Sequence, residues 1–199
     1  MVNISQINVT VPQELKYTVT YEQMNILLTF QKLWTQISIW LRSVLVATLY
    51  DLPNREAVIN EVFNTTLSFY NIFRLFYGVN IATQFYNMLN RYVTTAWRLI
   101  EAFVENNQGD IDSNTVQLYQ IADEMAVFLS PLNIHWSENQ WRYLLNQFTN
   151  LFISEIIAML QGNYTQEIAI FNRLDDITDI IGSYMARGIL SSEPAPGSR

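Results

Sequence analysis

TYEQMNILLTFQKLWTQISIWLRSVLVATLY, residues 20–50, carries apolar residues at steps of three and four along its length. That spacing is typical of one face of an amphipathic helix. Thr20 followed by Gln23 is a capping-box pattern that predicts the start of the helix, and Pro53 predicts its end. Because so long an apolar stripe needs covering, later helices are expected to pack around this one. The apolar positions are Ile26, Leu27, Phe30, Leu33, Trp34, Ile37, Leu41, Leu45 and Leu49.

Further helices are predicted by the same spacing, together with capping residues before each segment and Gly or Pro after it. The short link that begins at Gly78 folds the second and third helices into an antiparallel hairpin. We therefore expect an all-α, single-domain, up-and-down bundle of about six helices with a ferritin-like or four-helix-bundle core. The likeness of the first and last helix pairs is compatible with a duplicated hairpin. The second to sixth helices are predicted over residues 54–77, 81–105, 113–130, 137–161 and 165–187.

The chain divides into three parts by composition. Residues 1–19 alternate apolar and polar side chains, which predicts an extended N-terminal arm, and residues 20–189 form the helical bundle domain. Residues 190–199 are rich in Pro, Ser and Gly and are expected to form a flexible C-terminal tail. No signal-peptide pattern and no apolar run of membrane-spanning length is present, so we expect a cytoplasmic protein without stable membrane insertion.

The composition excludes several classes of function. The chain has 199 residues, 50% of them hydrophobic, and a net charge of −7. Lys occurs only at Lys16 and Lys32, which leaves no basic stripe for nucleic acid. The chain has no cysteine, and His135 is its single histidine, with no Ser-His-Asp signature to accompany it. No catalytic residue, cofactor-binding residue or cofactor is therefore predicted.

Three carboxylates and one arginine are the charged candidates for a site. Glu155, Asp175 and Asp179 would form a metal-binding cluster if the fifth and sixth helices brought them together, although a solvated acidic face is the simpler interpretation. Arg42 interrupts the apolar first helix. A charge in such a position needs a partner, so we predict a buried or half-buried ion pair with an acid such as Glu155 or Asp179.

The aromatic residues are more numerous than a small bundle needs for packing. Aromatic residues at helical spacing usually belong to the core, where Tyr and Trp keep their polar atoms near an edge. The alternative is an association surface or a ligand pocket, because Tyr and Trp are enriched at interfaces. The candidates for that surface or pocket are Trp40, Trp97, Trp136, Trp141 and Tyr143.

A set of residues spread over most of the chain resembles a family of small all-helical bacterial proteins. Members of that family carry inconsistent enzyme names, including glycosyltransferase and acetylglutamate kinase. The resemblance implies histidines inside the bundle that could bind metal, and an accompanying Asp. In this chain those positions hold Ile37, Tyr92, Phe148 and Asp175 for the histidines and Ser68 for the Asp, which implies that the metal site is lost. The residues that carry the resemblance are Leu33, Trp34, Trp40, Arg42, Leu52, Pro53, Tyr77, Gly78, residues 126–130, Trp136, Glu155, Gly188 and Ile189.

These observations favour one function, leave one alternative open and give an enzyme the weakest support, since its candidate residues would be only His135, Glu155 and the aspartates of the sixth helix. We expect a non-catalytic helical bundle that acts through protein association, either with another protein or with itself as a homo-oligomer. The abundance of aromatic residues and the missing catalytic signature both favour this interpretation. The alternative is a bundle of ferritin-like ancestry that binds a small molecule or a metal at a degenerate site.

Overall fold

The computed structural model describes residues 19–192, and this part of the chain is an all-α helical bundle with no strand. The all-α fold class predicted from the sequence is thereby confirmed. The predicted N-terminal arm at 1–18 and the tail at 193–199 lie outside the described residues. None of the described helices combines the length and the hydropathy needed to cross a bilayer. The helices are α1 (Tyr21–Leu49), α2 (Arg55–Val104), α3 (Gln108–Leu129), α4 (Glu138–Leu160) and α5 (Tyr164–Ser192), with a short 3₁₀ turn at Ser130–Leu132.

The described chain has five helices rather than six because residues 55–104 form one segment that is broken only at Gly78. Gly78 has φ 76° and ψ 171°, a conformation that glycine adopts far more readily than other residues. The hydroxyl of Thr66 donates to Asn90 Oδ1 at 2.6 Å. In a straight helix these two residues would be about 36 Å apart. The chain therefore reverses at Gly78, and α2 is the antiparallel hairpin that the sequence predicts.

Two helix boundaries differ from the prediction by five residues. The helix predicted to begin at Ser113 begins at Gln108, because the side chain of Asn107 caps it by accepting a hydrogen bond from the backbone N–H of Asp110 at 3.3 Å. This cap turns most of the predicted loop into the first turns of α3.

The last helix continues past its predicted end at Arg187 to Ser192. Gly188, interpreted from the sequence as a helix stop, lies inside α5 against the indole of Trp136. A Cβ atom at this position would collide with the indole nitrogen, so the glycine is needed for close packing. The first residues assigned to the tail, 190–192, are therefore helical.

The helices form a closed ring in which each one packs against its two neighbours. The first half of α2, residues 55–77, lies against α1, where the rings of Phe30 and Phe76 are 6.4 Å apart. The second half, residues 79–104, lies against α3, where Arg91 pairs with Glu124 at 2.7 Å. Helix α4 follows α3, and α5 closes the ring between α4 and α1.

The centre of the ring is filled by aromatic side chains from α1, from both halves of α2 and from α4. Trp34 of α1 meets Phe69 at 5.3 Å and Phe148 at 6.5 Å between ring centroids, both edge to face. Phe85 and Tyr92, from the second half of α2, extend this contact to the far side of the core. Burial of such rings contributes strongly to stability, and their edge-to-face arrangement adds to it.

The bundle has two ends that differ in what fills them. The Gly78 end collects the start of α1, the reversal in α2, the loop after α3 and the last turns of α5. The Gly162 end collects the end of α1, the link between α2 and α3, and the turn between α4 and α5. At the Gly162 end the hydroxyls of Tyr50 and Tyr164 lie 3.1 Å apart.

Candidate functional site

Arg42 joins three helices through two buried carboxyl groups. Its Nε donates a hydrogen bond to Glu167 Oε1 at 2.7 Å and lies 3.3 Å from Glu155 Oε1. The Glu155 side chain on α4 is 0% exposed and that of Glu167 on α5 is 2% exposed, whereas Arg42 on α1 is 34% exposed. Acidic side chains are almost never fully buried unless they are paired. We call Glu155 and Glu167 the carboxyl pair, and the place where α1, α4 and α5 meet around Arg42 the junction.

The helix pattern places each member of this group. Glu167 lies in the first turn of α5, where the helix dipole favours a negative charge. It also precedes Ile170 and Leu174 at steps of three and four, so it occupies the buried face of α5. One turn after Glu167, the ring of Phe171 lies 5.0 Å from the Arg42 guanidinium carbon, which is a cation–π distance.

The pKa of Glu155 is raised well above its ordinary value at the junction. Burial is the main cause of the rise to about 8, the Arg42 charge opposes it, and the Glu167 charge adds to it. Neither oxygen of Glu155 receives a hydrogen bond from any described group. A proton on Glu155 would allow this carboxyl to donate to Glu167. The hydrogen bond to Glu167 raises the pKa of Arg42, which keeps its positive charge.

Arg42 also reaches the surface. Its side chain lines a groove of about 300 Å³ between α1 and the start of α2, with apolar walls that include Trp40, Leu52 and Val58. Both carboxyl groups that contact this partly exposed arginine are themselves buried.

The predicted ion pair of Arg42 is present with Glu155, one of the two acids named as its partner, and not with Asp179. Glu155 lies at the junction, whereas Asp175 and Asp179 are exposed on α5. The predicted cluster of the three carboxylates is therefore wrong, because Glu155 faces the core and the two aspartates face solvent. Among residues 19–192 no three His, Cys, Asp or Glu side chains are grouped as metal ligands would be. Glu167 was missed, although its place in the α5 apolar stripe was a signal for burial.

The aromatic candidates do not form one surface. Trp136 and Trp141 are 5% and 0% exposed and pack edge to face at 5.4 Å, so their assignment to an association surface is wrong. Trp40 and Trp97 are partly buried against the core. Tyr143 is the one of the five that is exposed, beside a shallow groove between α4 and α5. The burial of an aromatic residue depends on neighbouring helices, which helical spacing alone does not reveal.

The positions of the histidines implied by the resemblance do not fit a metal. Ile37, Tyr92 and Phe148 are buried, and the Tyr92 hydroxyl is already paired with the Thr149 hydroxyl at 2.8 Å. Ile and Phe side chains offer no ligand atom. The remaining two positions, Asp175 and Ser68, are exposed.

Comparisons with known proteins add no relative. No protein-family model, curated protein or solved structure matches the chain. The resemblance to the bacterial helical family therefore stays a prediction from the sequence.

Proposed function

We propose that this protein is a non-catalytic helical bundle that acts through protein association and assembles with copies of itself. The observation that carries the proposal is a set of large apolar side chains that lie exposed at the Gly78 end, three of them on one face of α1. Scattered apolar residues are normal on protein surfaces, but a group of them marks an interaction site. We call this group the Gly78-end surface. It consists of Tyr21, Met24, Leu28, Leu75, Val79 and Ile134.

The first part of this surface is a stripe on α1. Tyr21, Met24 and Leu28 follow one another at steps of three and four, so they lie on one face of the helix. They are 78%, 41% and 53% exposed, which means that the face is not covered by the ring of helices. An apolar face of this kind is what a partner helix buries on association.

The second part comes from the other elements at the same end. Leu75 is 69% exposed and lies next to Phe76, whose ring contacts α1. Ile134 is 94% exposed and follows Asn133, whose amide donates to Tyr77 at 3.4 Å. These links bring the loop after α3 and the reversal in α2 to the start of α1.

A second copy of the chain is the partner that the charges favour. The exposed residues Glu22 and Arg74 stand next in sequence to Tyr21 and Leu75, respectively, so the surface carries both signs of charge. A symmetric contact places the same patch on both partners, and a patch with both signs can pair with itself. The chain's net charge of −7 would instead repel a copy at a surface that held only acids.

The test is the mass of the full chain in solution over a range of concentrations, measured by light scattering or sedimentation. We expect the wild type to exceed its 23.2 kDa chain mass and the double variant Leu28→Ser, Leu75→Ser to dissociate about a hundredfold more readily. Val116→Ser, at an exposed position on α3, is the matched control and should assemble like the wild type. A wild type that stays monomeric at every concentration contradicts the proposal.

Metal binding, the alternative function, receives less support. Two described carboxylates meet, at Glu155 and Glu167, and Arg42 already neutralises one charge between them. A divalent ion would have to displace this guanidinium. Metal analysis of the purified protein separates the two functions, because a stoichiometric metal would favour the alternative.

A further inference from the structure

We propose that Glu155 and Glu167 hold one proton between them, and that loss of this proton loosens the junction of α1, α4 and α5. The inference is independent of the association proposed above. It stands on three observations at the junction. Two carboxyl groups are almost completely buried, one guanidinium lies within 3.3 Å of both, and the oxygens of Glu155 lack a hydrogen-bond donor.

The junction has two carboxyl groups and one guanidinium, so it is neutral only when one carboxyl group carries a proton. Among residues 19–192, Arg42 is the only cation within salt-bridge distance of either carboxyl group. Two ionised carboxyls would therefore leave one uncompensated negative charge in a buried place, which is among the costliest arrangements in a protein. One bound proton makes the group neutral.

The proton belongs on Glu155 rather than on Glu167. Glu167 already accepts the short hydrogen bond from Arg42 and lies in the first turn of α5, where the helix dipole favours a negative charge. Glu155 has neither advantage, and burial raises its pKa to about 8. As a protonated acid it donates to Glu167, so a hydrogen bond joins α4 to α5.

The other titratable groups near the pair do not replace this proton. Tyr50 at the end of α1 and Tyr164 at the start of α5 share a hydrogen bond beside the junction. That hydrogen bond raises the pKa of Tyr50, so its hydroxyl stays neutral where Glu155 ionises. The facing groups are thus Arg42 from α1, Glu167 from α5 and these two hydroxyls.

Ionisation of Glu155 breaks the hydrogen bond to Glu167 and sets two negative charges against each other. Glu167 lies in the first turn of α5, close to the turn at Gly162. Moving its carboxylate into solvent therefore disturbs fewer contacts than moving Glu155, which lies inside α4. Arg42, already partly exposed, can follow it. The loosening should therefore be local, confined to the first turns of α5 and the facing part of α1.

Hydrogen exchange of the full chain tests the proposal, with rates corrected for the intrinsic effect of pH. Between about pH 6 and about pH 9, exchange in the first turns of α5 should accelerate about tenfold in the wild type, while the Gly78 end keeps its protection. Glu155→Gln keeps the shape of the protonated acid and should remove the acceleration. Asp179→Asn, at an exposed acid on the same helix, is the matched control and should keep it.

A second measurement uses the wild type alone, so it does not depend on the folding of a variant. Carbon-13 NMR of the glutamate carboxyls should show one group that titrates near pH 8, the pKa of Glu155. If every glutamate titrates below about pH 6, or if Glu155→Gln accelerates like the wild type, the proposal is wrong. Either result leaves the association proposal untouched, because that proposal concerns the Gly78 end.

Discussion

The two ends of the bundle are held together by different physical means. At the Gly78 end, Tyr77, Trp136, Trp141 and Tyr184 form an aromatic cluster whose neighbouring rings lie 5.0–5.7 Å apart. At the Gly162 end, the junction is held by a guanidinium and two carboxyl groups. Apolar burial depends little on pH, whereas a buried charge cluster depends on every proton it gains or loses. The stability of the Gly78 end should therefore be insensitive to pH, whereas that of the Gly162 end should change with pH.

Removing the tryptophan of the aromatic cluster that is completely buried should have the greatest effect. Trp141→Ala deletes a side chain that is 0% exposed and leaves a cavity beside Trp136 and Tyr184. We expect the free energy of unfolding to fall by about 4 kcal/mol, by the same amount at about pH 6 and about pH 9. Urea unfolding at the two pH values measures this loss. A loss that changes with pH would mean that the two ends are coupled.

The sequence predicts the ring of helices because its signals are local. Apolar spacing, caps such as Thr20 and the break at Gly78 act within a few residues, so they identify the helices and the hairpin. The contents of the two ends depend instead on which helices meet. A glycine that follows an apolar run, as Gly188 does, can either end a helix or allow another side chain to pack closely against the helix. The position of Trp136 decides between these two roles. Glu167 likewise has the sequence context of an ordinary first-turn acid. Its burial depends on the helices that pack against the start of α5.

The wild type should lose stability as pH rises, and the junction should be the source. Glu155 has a pKa of about 8 in the folded chain against an ordinary value of 4.5, so the folded chain binds more protons between these values. Its contribution to stability is complete below the lower value and is lost as pH rises through the higher one. From about pH 6 to about pH 8 we expect a loss of about 2 kcal/mol in the free energy of unfolding, measured in urea.

The variant Glu155→Gln is the control for this pH dependence, because it cannot ionise. Its stability should stay level over the same interval and should exceed that of the wild type at the upper end. Glu124→Gln, at an acid that pairs with Arg91 on the surface, should retain the wild-type slope. If the wild type and Glu155→Gln lose equal stability, the pH dependence arises elsewhere and the contrast between the two ends disappears.

The turn glycines test whether the two ends also differ in their backbones, and here the expected effects are smallest. Gly78 has φ 76° and ψ 171°, a region essentially restricted to glycine, so Gly78→Ala should cost about 2 kcal/mol. Gly162 has φ 68° and ends α4 with a hydrogen bond from Asn163 N–H to Ala158 O at 3.0 Å, as in a Schellman ending. Gly162→Ala should therefore cost about 1 kcal/mol.

Neither position brings an added Cβ within 4 Å of another atom, so both costs come from the backbone alone. Each loss, measured by urea unfolding, should be independent of pH, since an added Cβ at either glycine meets no titratable side chain beyond its chain neighbours. A pH-dependent loss at Gly162 would show that this turn sets the position of Glu167 in the first turn of α5. In that case the strength of the junction would depend on the backbone of the turn as well as on the proton held by Glu155.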